Sequence, residues 1–299
     1  MGKEKKETKT FDIYKKIEED QRKLENKKRI RKNKRKNSPL WTKIARAASL
    51  LGFFVGWQII TMLNDAFAWF NPKFLPSPIS IVSTFIKYVQ DGSIWEHIWV
   101  SFYRTMLGFA LGVIVALILG VMISSMKWFD NLVSPVLNMI GPIPVFAFLP
   151  MFIIWFGIGE ASKIVLIAYA TFMPMLTYTI DGIKNTNPVL IRSAKSLGAS
   201  EMQILTKVIL KSALPNIFTG MKVSLALTFS ALVVAELMGA SSGLGFMIQN
   251  ARNWFKLSDM FLAAALIGIE YSIFYSILTA IEKVLFKWKK NGIANAIEK

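Results

Sequence analysis

The amino-acid sequence predicts an all-α membrane protein with six transmembrane helices. The 299-residue chain is 53% hydrophobic, yet it has a formal net charge of +17, a combination that an ordinary globular domain rarely shows. Charged and apolar residues also lie in different places, because half of the 36 Lys and Arg residues fall within the first 46 positions. The chain is therefore a basic tail joined to an apolar body.

Six segments are long and apolar enough to cross a bilayer. A helix needs about 20 mostly apolar residues to cross about 30 Å of hydrocarbon, where its backbone must satisfy its own hydrogen bonds. The predicted spans are residues 44–63, 101–124, 132–155, 164–180, 217–238 and 260–285. Roughly forty polar residues precede the first of them, so we interpret it as a retained span and not as a cleaved signal peptide.

The distribution of Lys and Arg around these spans predicts their orientation. Basic residues accumulate on the cytoplasmic side of a membrane protein, which places both termini in the cytoplasm. The predicted organisation is a basic tail at 1–43, a first helix at 44–63, an external proline-rich segment with a short helix at 64–98, and a core with five spans at 99–285. A cytoplasmic loop at 183–216 interrupts the core, and a second cytoplasmic tail follows at 286–299.

Composition argues against an enzyme. The chain has no cysteine, and His97 is its one histidine, so we expect no metal site and no cysteine nucleophile. A G-x-x-x-x-G-K-[ST] phosphate loop is also absent from the sequence, so the chain is predicted not to hydrolyse ATP. The basic tail lacks a stacking aromatic module, which argues against nucleic acid. A solvated anchor and a helix on anionic membrane lipid both remain open for it.

The loop between the fourth and fifth spans predicts a helix, a break and a second helix. Pro188 suits a helix start, and Gly198 suits the turn that ends the first helix. The apolar stripe of that helix consists of Leu190, Ile191, Ala194 and Leu197. We expect the second helix to begin near position 201 and Pro215 to redirect the chain into the fifth span. An amphipathic element of this kind needs a protein partner or a lipid face.

Prolines and charged residues inside the spans mark a second set of candidates. Pro142 and Pro144 break the third predicted span, and a broken backbone at membrane depth must be buried in protein or line a wet cavity. Arg104 and Glu236 lie near the outer ends of the second and fifth spans, where an unpaired charge is costly. We predict either a structural Arg104–Glu236 pair or a role in gating or solute contact.

The turn that follows Glu236 is rich in glycine and includes Gly243 and Gly245. Its flexibility favours an outer gate over a nucleotide site, because no strand precedes it. Arg104, Pro142, Pro144, Glu236, Gly243 and Gly245 are therefore the candidates for the pathway or gate.

Several motifs, in order, resemble one family. They are Leu-Pro-Ser-Pro at 75–78, Ser-Phe-Tyr-Arg at 101–104 with Gly108, Gly-Pro-Ile-Pro at 141–144 with Leu-Pro at 149–150, Trp-Phe-Gly-Ile-Gly-Glu at 155–160, Ser-Leu-Gly-Ala-Ser at 196–200, Ala-Leu-Pro-Asn-Ile-Phe-Thr-Gly at 213–220 and Ala-Glu-Leu-Met-Gly-Ala-Ser-Ser-Gly-Leu-Gly at 235–245. Residues 74–287 thereby resemble bacterial ABC importer permeases with a cytoplasmic EAA loop, in the nitrate, taurine and aliphatic-sulfonate branch. The family's Glu-Ala-Ala triplet falls on Arg192, Ser193 and Ala194, so a partner contact that needs a carboxylate there is missing.

The resemblance implies a type I ABC importer transmembrane domain in the bacterial inner membrane. A coupling helix at about 188–198 would seat in a groove of a separate ATPase, which binds ATP and Mg. The chain would work as a homodimer with an external solute-binding protein, and the resemblance implies a small anion such as a sulfonate, taurine or nitrate as its solute. A thiamine-precursor-like solute, a secondary transporter and a membrane-embedded enzyme are the alternatives.

Overall fold

The computed structural model describes residues 39–286, and every regular element within them is a helix. The chain divides into two compact units, Met1–Pro72 and Lys73–Lys299. The interpretations of the tail at 1–43 and of the tail at 286–299 fall almost wholly outside the described residues. Each unit is therefore treated by itself.

The first unit contains one long helix, α1 (Pro39–Phe67), in which Ala47–Phe67 is apolar enough to cross a membrane. The Asn64 side chain bonds the backbone of the segment that follows this helix. Its Nδ2 donates to the Phe70 carbonyl oxygen at 3.1 Å, and its Oδ1 accepts from the Phe70 backbone N–H at 3.0 Å. The side chain thus supplies hydrogen bonds where the helical ladder stops.

The second unit is a helical bundle. Its helices are α2 (Pro78–Gln90), α3 (Ser93–Ser125), α4 (Lys127–Ile140), α5 (Leu149–Phe156), α6 (Glu160–Lys184), α7 (Pro188–Ser196), α8 (Glu201–Leu237), α9 (Leu244–Asn253) and α10 (Leu257–Leu285). With α1, the helices α3, α6, α8 and α10 give five continuous candidate spans, and a bent pair gives a sixth. The predicted fold class, an all-α membrane protein with six spans, is confirmed.

The α6 helix is the centre of the bundle, because it packs along both α3 and α8. A stripe of small residues on α3 permits the close approach to α6. A Cβ added to Gly108 would lie 2.5 Å from a methyl carbon of Ile167, and one added to Gly112 would lie 2.4 Å from the Ala168 carbonyl oxygen. Small residues spaced four apart allow membrane helices to pack backbone against backbone.

The third predicted span is broken, as its prolines predict. The α4 helix ends at Ile140, and the segment Val145–Phe156 continues at 94° to it. Pro142 and Pro144 lie in the gap between them, whereas Pro150 lies in the first turn of α5, where its missing N–H leaves no bond unmade. The gap residues are exposed within the single chain.

Pro215 does not redirect the chain, contrary to the prediction. The α8 helix runs without interruption from Glu201 to Leu237, with a π-helical stretch at Ile204–Ile209. The missing N–H of Pro215 deprives only the carbonyl of Lys211, and Lys211 is exposed. Water at the bundle surface can satisfy that carbonyl, so the proline is tolerated inside the helix.

We call the end of the bundle that carries α7 the α7 end and the opposite end the α9 end. At the α9 end, α2 packs against α3 and α10. Ser77 caps α2 through its side chain, and Pro78 occupies the first turn. Apolar residues of α2, including Ile81 and Phe85, cover a small core that contains Ile94 and Met247.

Tyr88 ties α2 to α10. Its hydroxyl donates to Asp259 Oδ2 at 3.0 Å, and burial together with this bond raises the pKa of Tyr88 to about 12. The group is more acidic in the unfolded chain, so its stabilising contribution is complete below about pH 10 and is lost as the pH rises through about 12. We expect the phenolate absorbance of the wild type minus that of Tyr88→Phe to titrate near pH 12. A difference spectrum that titrates near pH 10 would contradict this bond.

Candidate functional site

The α7 helix has a defined start and a defined end. Asn187 Oδ1 accepts from the Val189 backbone N–H at 2.9 Å, and Pro188 occupies the first turn. Gly198 has a φ of +77°, a left-handed conformation that favours glycine. The Gly198 N–H donates to the Lys195 carbonyl at 2.9 Å. The next N–H donates to the carbonyl of Ala194 at 3.1 Å, which completes a Schellman motif.

The predicted apolar stripe of α7 divides between two environments. Leu190 and Leu197 are exposed by 49% and 87%. Ile191 and Ala194 are half-buried, and Ile191 lines a groove of 390 Å³ together with Leu205. The structure therefore leaves Leu190 and Leu197 exposed, whereas Ile191 and Ala194 are partly covered by the chain itself.

A cluster of ion pairs lies at the α9 end. The Arg104 guanidinium on α3 donates from Nε and Nη2 to the two carboxylate oxygens of Glu160, each at 2.6 Å. From Nη1 it donates to Glu236 Oε1 at 2.8 Å and to the Ser242 carbonyl oxygen at 2.6 Å. The predicted Arg104–Glu236 pair is formed, and it joins α3, α6 and α8 at one point.

The glycine-rich turn closes directly over Glu236. The Gly245 N–H donates to Glu236 Oε2 at 2.7 Å. Ser101 Oγ donates to the same carboxylate and accepts from the Leu244 N–H, at 2.8 Å in each case. A Cβ on Gly243, which has a φ of +123°, would lie 2.4 Å from Glu236 Oε1. Glycine is required here because the backbone lies against a buried carboxylate.

Glu160 and Lys163 were not among the candidates for the pathway or gate. Lys163 Nζ lies 3.2 Å from Glu160 Oε1, so the cluster contains two cations and two carboxylates. Arg104, Glu236 and Lys163 are buried, whereas the side chain of Glu160 is 51% exposed. The balance of charge makes burial tolerable, because each buried ion has an opposite charge in contact. Pro142 and Pro144 are not part of this cluster and lie in the break after α4.

Glu270 on α10 is also buried, at 7% exposure. Within residues 39–286, neither of its carboxylate oxygens has a hydrogen-bond partner.

Comparisons with known proteins agree with this architecture. The family model described as "binding-protein-dependent transport system inner membrane component" matches residues 108–291. SsuC of Bacillus subtilis, named as an aliphatic sulfonates transport permease protein, is 37% identical over 235 residues, which cover 79% of this chain and 84% of SsuC. The taurine transport system permease protein TauC of Escherichia coli is 34% identical over 78% of this chain and 85% of TauC.

A solved amino acid ABC transporter has the same fold. It superposes with a TM-score of 0.56 at 18% identity and covers 67% of this chain and 96% of its own. The matched family model spans more than half of the chain. Together with the helical bundle and its candidate spans, these findings make the chain a multi-pass membrane protein of the family of inner membrane components of binding-protein-dependent transport systems.

Proposed function

We propose that the chain is the permease subunit of an ATP-driven importer whose cargo is a small anion, an aliphatic sulfonate, taurine or nitrate. The observation that carries this proposal is the short α7 helix, which is capped at both ends and presents exposed apolar side chains beside an apolar bundle. The names of SsuC and TauC support the cargo class, since both relatives cover most of this chain.

The coupling surface is the exposed part of α7. Leu190 and Leu197 expose apolar side chains to water, which is unfavourable, so we expect a second protein to bury them. We propose that this second protein is a separate ATPase subunit that binds ATP and Mg. Gly198 ends the helix and fixes the direction of Leu197. Ile191 and Ala194 support the helix from beneath.

Two copies of the chain would form the pathway. The backbone of the broken span at 141–144 is exposed within one chain, and lipid cannot satisfy free backbone groups. A second copy, or water in a pathway between two copies, removes this cost. Pro142 and Pro144 are then residues of the interface or of the pathway.

The basic residues near the α7 end support a cytoplasmic position for that end. The ion cluster at the α9 end then faces outward, toward an external solute-binding protein. Arg104 and Glu236 hold the glycine-rich turn of Gly243 and Gly245 against the bundle, and we assign the role of outer gate to this turn.

Uptake by reconstituted vesicles tests the function. We expect vesicles that contain the permease, its ATPase and the binding protein to accumulate labelled taurine or an alkanesulfonate only with ATP. A hydrolysis-deficient ATPase should abolish uptake. Uptake that continues without ATP and follows an ion gradient would indicate a secondary transporter, and preference for a thiamine precursor would overturn the cargo.

Gly198→Pro tests the coupling surface. Proline requires a φ near −65°, whereas Gly198 has a φ of +77°, so the turn after α7 must change. We expect normal amounts of protein in the membrane and a loss of uptake of at least about tenfold. The matched control is Gly198→Asn, because asparagine tolerates the left-handed conformation. Equal uptake by the two variants would contradict the role of this turn.

A further inference from the structure

The Glu160 carboxylate is held by two cations from different positions of the bundle. Arg104 on α3 binds both of its oxygens at 2.6 Å in a fork, and Lys163 on α6 approaches one of them at 3.2 Å. Parallel N–H donors of this kind match the spacing of two oxygens in any planar or tetrahedral oxyanion. The donor set is therefore not specific for a carboxylate of the chain itself.

Exposure differs sharply within this group. Arg104 and Lys163 are 1% and 5% exposed, whereas the Glu160 side chain is 51% exposed. The carboxylate is thus the outer member of the group and covers two buried cations. Rotation of the Glu160 side chain away from them would uncover three N–H donors without any movement of α3.

Charge balance shows what would follow such a movement. Arg104 and Lys163 carry two positive charges, and Glu236 neutralises only one of them. When the Glu160 side chain rotates away, one positive charge is left without a counter-ion at a poorly solvated site, which raises the free energy of the protein. A monovalent anion restores neutrality, and a divalent anion does not.

We propose that Arg104 and Lys163 form a binding site for a monovalent oxyanion, and that the Glu160 carboxylate occupies this site as an internal competitor that the cargo displaces. The inference rests on the proposed function for the identity of the anion, an alkanesulfonate. Its consequence is the selective loss of the ion pair between α3 and α6. The cargo breaks the Arg104–Glu160 bonds, while the Arg104–Glu236 bond between α3 and α8 remains.

Binding of ethanesulfonate to the purified full-length chain tests this site. Glu160→Gln keeps the size of the side chain and removes its charge, so we expect its Kd for ethanesulfonate to fall by about tenfold relative to the wild type. Adding Lys163→Gln to this variant should return the Kd to the wild-type value or above. Dimethyl sulfone, a neutral molecule of similar shape, should bind none of these proteins.

Asp130→Asn is the matched control, because Asp130 forms an ion pair with Lys184 at 3.0 Å outside this cluster. We expect it to bind ethanesulfonate as the wild type does. Glu160→Asp keeps the negative charge on a shorter side chain, so we expect its Kd for ethanesulfonate to fall by about threefold. This second variant keeps the proposal testable if Glu160→Gln does not fold. An unchanged or higher Kd in both Glu160 variants would overturn the proposal.

These outcomes are separate from those of the uptake experiment. ATP-driven sulfonate uptake with no effect of Glu160 on binding would leave the proposed function intact and remove the site. Tighter anion binding by Glu160→Gln without ATP-driven uptake would retain the site and remove the proposed function.

Discussion

Arg104→Ala is expected to lower the free energy of unfolding by about 3–5 kcal/mol. The substitution leaves the buried Glu236 carboxylate without its cation, and an uncompensated buried charge costs this much in proteins. It also removes the donor that holds the Ser242 carbonyl. Titration with a denaturing detergent, followed by tryptophan fluorescence, measures the change.

Lys184→Ala is the control for this prediction. Lys184 pairs with Asp130, but its side chain is 49% exposed, so water replaces the lost partner and only a small change is expected. The double variant Arg104→Gln with Glu236→Gln should lose less than the sum of the single variants, because it leaves no buried charge alone. Equal losses from Arg104→Ala and Lys184→Ala would contradict the buried pair.

Gly112→Ala is expected to lower the free energy of unfolding by about 2–3 kcal/mol. The added Cβ would lie 2.4 Å from the backbone oxygen of Ala168, so α3 and α6 must separate along a shared interface. The same detergent titration measures this loss. Gly268→Ala is the matched control, because Gly268 is also helical and a Cβ there has nothing within 4 Å. It should show no loss, and a comparable loss in both would contradict close packing at Gly112.

Local signals were sufficient to predict much of this structure. The length of the apolar runs gave the spans, and Pro188 with Gly198 gave the two ends of α7, since each is a property of a few neighbouring residues. The Arg104–Glu236 pair was also predictable, because two unpaired charges near the same membrane face are costly.

The remaining features depend on contacts between distant parts of the chain. Glu160 lies 56 positions from Arg104, and a carboxylate at the start of a helix gives no signal of such a partner. Pro215 was predicted to redirect the chain because the sequence alone does not show that Lys211, whose carbonyl loses its donor, is exposed. The spacing of Gly108 and Gly112 was visible, but its meaning depends on which helix lies opposite.

The length of α8 has a mechanical consequence. At about 1.5 Å per residue, its 37 residues form a rod of about 55 Å that begins beside α7 and ends one residue after Glu236. A displacement of the end beside α7 is therefore carried along one continuous helix, which is bonded to α6 where the Thr171 and Thr228 hydroxyl oxygens lie 2.7 Å apart. The π-helical stretch at Ile204–Ile209 and the proline at Pro215 are the two places along α8 where such a helix bends most readily.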